Sequence, residues 1–217
     1  MHYVSRGPEP KELKPIRIRY TQKWIDYYPN RVGRKPTDTK WRDFKDELSF
    51  HFNECCGYCE TICRGEVDHF RPKTKYPAIV YHWDNWIFSC HDCNQNKGDY
   101  WPHYGFIDPC AITDFCHGPN CCFIYDLLTG EALPHPELSS GNTKRAKAMI
   151  KSLVLNGSFQ LKKRLSRIRM LDTLAYFSTY DHNLATQEIA LLALPSAALH
   201  SLTKYYIETR LPQLCST

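Results

Sequence analysis

The segment 56–98 decides the fold, because it opens with Cys56-Gly57-Tyr58-Cys59 and closes with Cys90-His91-Asp92-Cys93. Each run is a C-x-x-C pair, and 30 residues separate the two pairs. Two thiolates separated by two residues can face one ion from a tight turn, and two such turns complete a tetrahedral shell of four sulfurs. Four soft ligands leave no open coordination position, so the pattern predicts a structural zinc rather than a catalytic one.

Two other cysteines, Cys55 and Cys63, lie close enough in sequence to compete as zinc ligands. We expect Cys56 to be the ligand, because Gly57 stands between the paired thiols and favours the turn. Buried free thiols or a redox pair are the alternative interpretations of these cysteines.

Four polar residues lie between the pairs or directly after them: Asp68, His69, Asn85 and Asn94. Asp68 and Asn94 offer the hard oxygen ligands that suit Mg²⁺ or Mn²⁺. His69 is the one side chain of the group that exchanges a proton near neutral pH. We therefore predict a catalytic metal site beside the zinc; a histidine packed in the core is the alternative for His69.

These elements resemble the HNH, or ββα-metal, nucleases. Their zinc-clipped branch reads C-x-x-C, then D-H, then N, then C-x-x-C-N-x-x-K-G, and residues 56–98 contain every element in this order. A wider similarity links the chain to the PtuB family, the HNH components of Septu-type anti-phage systems, which also occur beside retron reverse transcriptases. It is carried by Arg6-Gly7-Pro8, by the run 68–77 and by Leu155-Asn156 followed by a Leu/Arg-rich helix.

The resemblance implies that His69 is the general base, that Asp68 and Asn94 hold the catalytic Mg²⁺ or Mn²⁺, and that Asn85 bonds the second ring nitrogen of His69. It implies a metal-dependent endonuclease acting on DNA or RNA, tRNA included, as the effector of an anti-phage system. The implied partners are a PtuA-like ATPase and a retron reverse transcriptase with its msDNA. The alternative is a zinc-dependent nucleic-acid-binding or scaffold protein whose HNH site is inactive.

The net charge of +5 conceals a segregation of charge along the chain. Residues 1–80 sum to +5, residues 81–140 to −7 and residues 141–217 to +7. Basic flanks around an acidic middle favour a polyanionic partner held by the flanks and a cation held between them.

The stretch 141–171 contains nine basic residues and no acidic one. We expect Lys144, Lys147 and Lys151 on its first helix to bind nucleic acid, with docking of an acidic protein as the alternative. Three more phosphate contacts are expected near the HNH motif, each of which is otherwise a solvated side chain: Lys97, Arg71 and Lys73.

The predicted fold class is α+β, with a zinc-clipped ββα core and a C-terminal helical domain. We divide the chain into a basic N-terminal arm (1–36), the HNH core (37–109), a Pro/Cys-rich connector (110–140) and a basic helical domain (141–217). The arm is expected to be irregular. One helix is predicted from Thr37 or Asp38 to about Asn53, and a polar helix from about Trp86.

The connector is expected to contain a strand at 122–127 and a second cluster of potential ligands: Cys110, Cys116, His117, Cys121 and Cys122. Their spacing is unlike a zinc knuckle, so buried thiols are the preferred interpretation. No run approaches the 18 apolar residues of a membrane span, and the start of the chain lacks an apolar secretion signal. We therefore expect a cytoplasmic protein with no membrane partner, in which clustered thiols bind metal.

Overall fold

Seven helices and four short strands form in residues 1–116 and 122–212, which this computed structural model describes. The helices are α1 (Leu13–Tyr27), α2 (Lys45–His51), α3 (His91–Lys97), α4 (Ser140–Ser152), α5 (Ser158–Phe177), α6 (His182–Leu192) and α7 (His200–Arg210). The strands are β1 (Glu66–His69), β2 (Trp86–Ser89), β3 (Phe123–Tyr125) and β4 (Ala132–Pro134). Helices combined with two small sheets confirm the predicted α+β class.

The centre of the fold is the unit β1–β2–α3. The two strands pair antiparallel, with Glu66 opposite Ser89 and His69 opposite Trp86. Every residue of β2 is buried, and so are three of the four in β1. A single residue, Cys90, separates β2 from α3, so two strands and a helix follow one another as the ββα core requires.

The polar helix begins later than predicted, because Trp86 starts a strand and not a helix. The run 86–89 is buried on both faces and rich in aromatic and branched side chains, which favours a strand. The helix starts after Cys90, whose sulfur accepts a hydrogen bond from the Cys93 N–H at 3.5 Å.

The N-terminal arm contains a helix, α1, so the prediction of an irregular arm is wrong. Its apolar residues that belong to the core or pack against it recur every three or four positions: Leu13, Ile16, Tyr20, Trp24 and Tyr27. This spacing gives one apolar face. Pro15 is tolerated because it lies in the first turn, where backbone N–H groups have no helical acceptor. Trp24 stacks on Tyr28 and meets the Trp41 ring edge-on at 5.4 Å.

The helix predicted from about 37 to 53 is divided into a 3-10 turn, Lys40–Phe44, and the shorter α2. Four apolar residues of this segment recur at helical spacing, and all four are buried: Trp41, Phe44, Leu48 and Phe52. This segment packs on the first sheet and forms one side of the candidate site described below.

The last third of the described chain is helical, as predicted, and is joined to the ββα unit. β3 and β4 form an antiparallel hairpin in contact with α4 and α7. Helix α5 begins at Ser158, and Gly157 is its N-cap. The Glu60 carboxylate accepts hydrogen bonds from the Ser201 N–H and hydroxyl. A single apolar core thus runs from Leu13 through Ile87 to Leu202. None of the helices in the described residues has the length and apolarity of a membrane span.

Docking of α1 should contribute measurably to stability. We predict that Trp24→Ala lowers the free energy of unfolding by about 3 kcal/mol, because it removes a large buried ring and leaves a cavity. Ile18→Ala on the same helix is the matched control, since Ile18 is 74% exposed, and it should change stability by less than about 0.5 kcal/mol. Urea unfolding of the zinc-loaded protein measures both values; equal effects would mean that α1 does not dock as described.

Candidate active site and metal centre

The two C-x-x-C pairs meet in one cluster of sulfur atoms. The Sγ atoms of Cys56, Cys59, Cys90 and Cys93 all lie within 4.8 Å of one another. Cys59 and Cys90 are 3.8 Å apart, which matches the edge of a tetrahedron of sulfurs at about 2.3 Å from a zinc ion. The cluster could therefore hold a zinc ion in a closed four-sulfur shell.

The protonation of the cluster also suits a metal. Hydrogen bonds from neighbouring sulfurs, first that of Cys56, hold the pKa of Cys59 well below its usual range. Burial has the opposite effect on Cys56, whose pKa is raised. The hydrogen bond with Cys56 also lowers the pKa of Cys90, whereas hydrogen bonds within the cluster raise the pKa of Cys93. Negative charge is thus favoured at two of the four sulfurs and opposed at the other two, and a dication would remove that conflict.

Close packing fixes the first of the two cysteine turns. A Cβ atom at Gly57 would lie 2.6 Å from the Phe52 ring and 2.8 Å from a methyl group of Ile87, so only glycine fits there. The Gly57 N–H donates to the Phe88 carbonyl at 2.8 Å, which joins this turn to β2. The turn therefore places Cys56 in the cluster, while Cys55 and Cys63 lie outside it.

The remaining described cysteines have no activated thiolate. Burial raises the pKa of Cys55 to about 11, and it raises those of Cys63, Cys110 and Cys122 to about 12. Thiols with such pKa values are poor nucleophiles at neutral pH. None of these four thiols is therefore an activated nucleophile.

The connector contains one more group of ligand-type side chains. Cys116, His135 and Glu137 have ligand atoms within 4.8 Å of one another. Cys116 is disulfide-bonded and so offers no thiolate to a metal. Of the predicted second cluster, His117 and Cys121 lie outside the described residues.

A cleft of about 660 Å³ opens beside β1 and α3. Three of the predicted site residues line it: Asp68, His69 and Asn94. Lys73 and Lys97 also line it, whereas Asn85 and Arg71 do not. Lys144, Lys147 and Lys151 are exposed on α4 and do not line it either.

His69 ends β1 and is only 4% exposed. Its Nε2 is 2.9 Å from the Val80 carbonyl oxygen, and Trp41 meets the ring edge-on at 4.8 Å. Because a carbonyl only accepts, Nε2 carries the proton and Nδ1 keeps the free lone pair. Burial, followed by the charge of Lys73, lowers the pKa of His69 well below its usual value, so the ring is neutral near pH 7.

Asn85 does not bond His69, which corrects the expected role. Its amide accepts from the Arg71 N–H at 2.9 Å and donates to the Arg71 and Ile79 carbonyls. The backbone carbonyl of Asn85 also accepts a hydrogen bond from the Phe70 N–H. Asn85 therefore closes the loop 70–85, and the backbone of Val80 in that loop holds the imidazole.

The Asp68 carboxylate is buried and bonded on both oxygens. Its Oδ1 accepts from the Lys97 ammonium at 2.8 Å, and its Oδ2 accepts from the Tyr58 hydroxyl at 2.5 Å. Lys97 also donates to the His69 carbonyl at 2.7 Å and is 1% exposed. Lys97 is therefore engaged by Asp68, not free for the phosphate contact that the sequence suggested.

Asn94 lies in the first turns of α3, and Glu66 of β1 holds it. Its Nδ2 donates to Glu66 Oε2 at 2.5 Å, while Glu66 Oε1 pairs with His91 Nδ1 at 3.0 Å. The hydrogen bond to His91 lowers the pKa of Glu66, which keeps this carboxylate ionised. Since the amide nitrogen faces Glu66, the oxygen of Asn94 remains available to a cation.

Two cationic residues of the cleft are not among the phosphate contacts predicted from the sequence. Arg42 and Lys45 line it from the turn Lys40–Phe44 and the start of α2. Lys73 also lines it, and its Nζ is 5.6 Å from the centre of the Trp41 ring. The alternation of Trp41 and Phe44 with these charges was visible in the sequence, but their position beside His69 depends on tertiary packing.

The donor atoms fit a hard divalent cation. Asp68 supplies a carboxylate, whose oxygens each keep one lone pair beyond the hydrogen bonds described, and Asn94 supplies an amide oxygen. Both residues line the cleft, and Glu66 adds a second carboxylate. Oxygen donors of this kind suit Mg²⁺ or Mn²⁺.

Comparison with known proteins identifies this segment. Residues 56–100 match the family model of the HNH endonucleases. The chain is 34% identical over 105 residues to the Septu protein PtuB of Bacillus thuringiensis, and the match covers 45% of this chain and 37% of that protein. It is also 34% identical over 121 residues to the Septu protein PtuB of Bacillus mycoides (strain KBAB4), and that match covers 42% of this chain and 41% of that protein. The chain thus spans about two-fifths of the length of these relatives. It contains an HNH endonuclease domain and resembles PtuB, which confirms the expectation from its motifs.

The sulfur cluster gives a direct test by zinc content. We predict that Cys90→Ser abolishes stoichiometric zinc, because a neutral hydroxyl replaces one of four thiolates. Cys63→Ser should retain one zinc ion per chain, since Cys63 lies near the cluster in sequence but outside it. Elemental analysis of the purified chains measures the zinc content. If Cys63→Ser lost zinc and Cys90→Ser kept it, Cys63 would be a zinc ligand and Cys90 would not.

Proposed function

We propose that the protein is a metal-dependent endonuclease that hydrolyses phosphodiester bonds of nucleic acid. One observation carries the proposal: a neutral imidazole of fixed tautomer, His69, lines the same cleft as Asp68 and Asn94. The presence of an HNH endonuclease domain in residues 56–100 supports it.

His69 would act as the general base in this reaction. Its Nδ1 takes a proton from a water molecule, which then attacks the phosphorus, while Nε2 stays bonded to the Val80 carbonyl. The low pKa described above keeps the base unprotonated before the reaction. The edge of Trp41 and the Val80 carbonyl hold the ring in place and limit its rotation.

Asp68 and Asn94 would hold one divalent cation, Mg²⁺ or Mn²⁺. When bound, such a cation supplies charge stabilisation to the scissile phosphate and to the departing 3′ oxygen. Asn94 is oriented for this by Glu66, and Asp68 by Tyr58 and Lys97.

The cationic residues of the cleft would bind the backbone of the substrate. Arg42, Lys45 and Lys73 line the same cleft as Asp68 and Asn94, so phosphates on either side of the scissile bond can approach them. These cations would contact phosphates and not bases. Because DNA and RNA share the phosphodiester backbone, both are candidate substrates, tRNA included. The exposed lysines of α4 offer a second basic surface to nucleic acid or to an acidic protein.

The likeness to PtuB supports a place in a Septu-type anti-phage system. In that setting a PtuA-like ATPase is the proposed partner, and it would restrain the nuclease until infection. The proposal places the protein in the cytoplasm, where reduced thiols can bind zinc. Co-purification of the chain with the products of its neighbouring genes tests this part: the proposal predicts an ATPase among the retained proteins, and its absence would contradict the proposed partner.

The assignment of the base is tested by His69→Ala. We predict a loss of cleavage rate of at least about 100-fold on plasmid, single-stranded DNA or tRNA with Mg²⁺ or Mn²⁺. His103→Ala, which alters an exposed histidine, is the control and should cut like the wild type. Zinc content should be unchanged in both, and equal cleavage by His69→Ala and wild type would refute the assignment.

The path of the substrate is tested by charge reversal on separate surfaces. We predict that Arg42→Glu with Lys45→Glu weakens nucleic-acid binding and reduces the slope of log K against log salt by about 2, because two phosphate contacts are lost. The pair Lys147→Glu with Lys151→Glu tests α4 in the same way. Lys11→Glu with Lys14→Glu, exposed on and beside α1, is the control. Fluorescence anisotropy over a salt series measures the slopes. If Arg42→Glu with Lys45→Glu binds nucleic acid like the control pair, the substrate does not bind in the cleft.

A further inference from the structure

The Tyr58 side chain connects the sulfur cluster to the Asp68 carboxylate. Tyr58 lies between Cys56 and Cys59 in the first cysteine turn and is 1% exposed. Its hydroxyl donates to Asp68 Oδ2 at 2.5 Å, ten residues further along the chain. No motif in the sequence marks this residue, which occupies a variable position of the C-x-x-C pattern.

The other oxygen of Asp68 is held from the second cysteine pair. Lys97, four residues after Cys93 on α3, donates to Asp68 Oδ1 at 2.8 Å. Each oxygen of the carboxylate is therefore bonded to an element that carries one C-x-x-C pair. The sulfur cluster fixes the separation of these two elements, so it also fixes the position of the carboxylate between them.

We propose that Tyr58 is a positioning residue that transmits the geometry of the zinc cluster to the divalent-cation site through Asp68. This inference rests on the proposed function, because it concerns the cation that Asp68 would hold there. Tyr58 does not line the cleft that would hold the cation, and its hydroxyl would act by setting the rotation of the carboxylate plane of Asp68.

Two physical reasons make the hydroxyl matter for cation affinity. Without it, one oxygen of a buried carboxylate loses its donor, and the group rotates to recover a partner or to approach Lys97 more closely. Either movement competes with the cation for the same oxygen. Partners that hold a ligand in this way typically contribute about 10-fold to 100-fold to metal affinity.

The decisive variant is Tyr58→Phe, which removes the hydroxyl and keeps the ring. Tyr125→Phe is the matched control: Tyr125 is also a buried tyrosine, its hydroxyl bonds Ser201 at 2.7 Å, and it does not line the cleft. The measurement is Mn²⁺ titration of the zinc-loaded full chain, followed by electron paramagnetic resonance of free and bound Mn²⁺. Asp68→Ala establishes the signal that belongs to the site.

We expect Tyr58→Phe to retain one zinc ion per chain and to bind Mn²⁺ about 10-fold more weakly than the wild type. Tyr125→Phe should bind Mn²⁺ like the wild type. Wild-type Mn²⁺ affinity in Tyr58→Phe, or equal weakening in both variants, would overturn the inference and leave the proposed function standing. Loss of zinc from Tyr58→Phe would also overturn it, because the hydroxyl would then support the cluster and not the carboxylate. If Mn²⁺ binds the wild type and Asp68→Ala equally, the proposed cation site itself is wrong.

Discussion

The convergence of four cysteine sulfurs is the constraint on which the candidate site depends. The strands β1 and β2 have four residues each, and a two-stranded hairpin of that length is marginal by itself. The cluster joins the turn before β1 to the start of α3, so it closes the whole ββα unit at both ends. A covalent or metal closure of this kind limits the freedom of the segment it encloses. Every candidate catalytic side chain lies within that segment or within one turn of its end.

The candidate ligands and the candidate base could be selected from sequence, whereas the groups that contact them in the structure could not. Ligand spacing is local: the paired cysteines and the adjacent Asp68 and His69 are readable without any knowledge of packing. The orienting groups come from chain segments that meet only in the folded state. Val80 acts through a backbone carbonyl, which has no sequence signal, and Tyr58 reaches Asp68 because the first cysteine turn packs on β2.

The same distinction explains the errors in secondary structure. The prolines near α1 concealed a regular apolar face, although a proline in the first turn costs a helix little. The run beginning at Trp86 has no alternation because both faces of β2 are buried, so it does not look like an amphipathic strand. In both places burial in the folded chain decided the secondary structure, and the local sequence pattern does not indicate that burial.

The charge of the cleft also differs from the charge of the chain segments. The acidic middle segment suggested a cation site, yet part of its charge is used elsewhere. Asp114 forms a two-point ion pair with Arg145, both contacts at 2.6 Å, and Asp126 accepts backbone N–H groups in its own turn. Of the three carboxylates that line the cleft, Glu66 and Asp68 come from the segment with net positive charge and Asp99 from the acidic middle segment. The cleft thus combines carboxylates with cationic side chains, an arrangement suited to a metal ion and a phosphodiester together.

The chemistry of the product ends tests the central claim most directly. Attack by a water molecule with departure of the 3′ oxygen leaves a 5′-phosphate and a 3′-hydroxyl, whether the substrate is DNA or RNA. Mass spectrometry of the cleaved ends of a defined oligonucleotide, incubated with the zinc-loaded protein and Mg²⁺ or Mn²⁺, reads this outcome. The account predicts 5′-phosphate and 3′-hydroxyl ends; 3′-phosphate or 2′,3′-cyclic phosphate ends would contradict it.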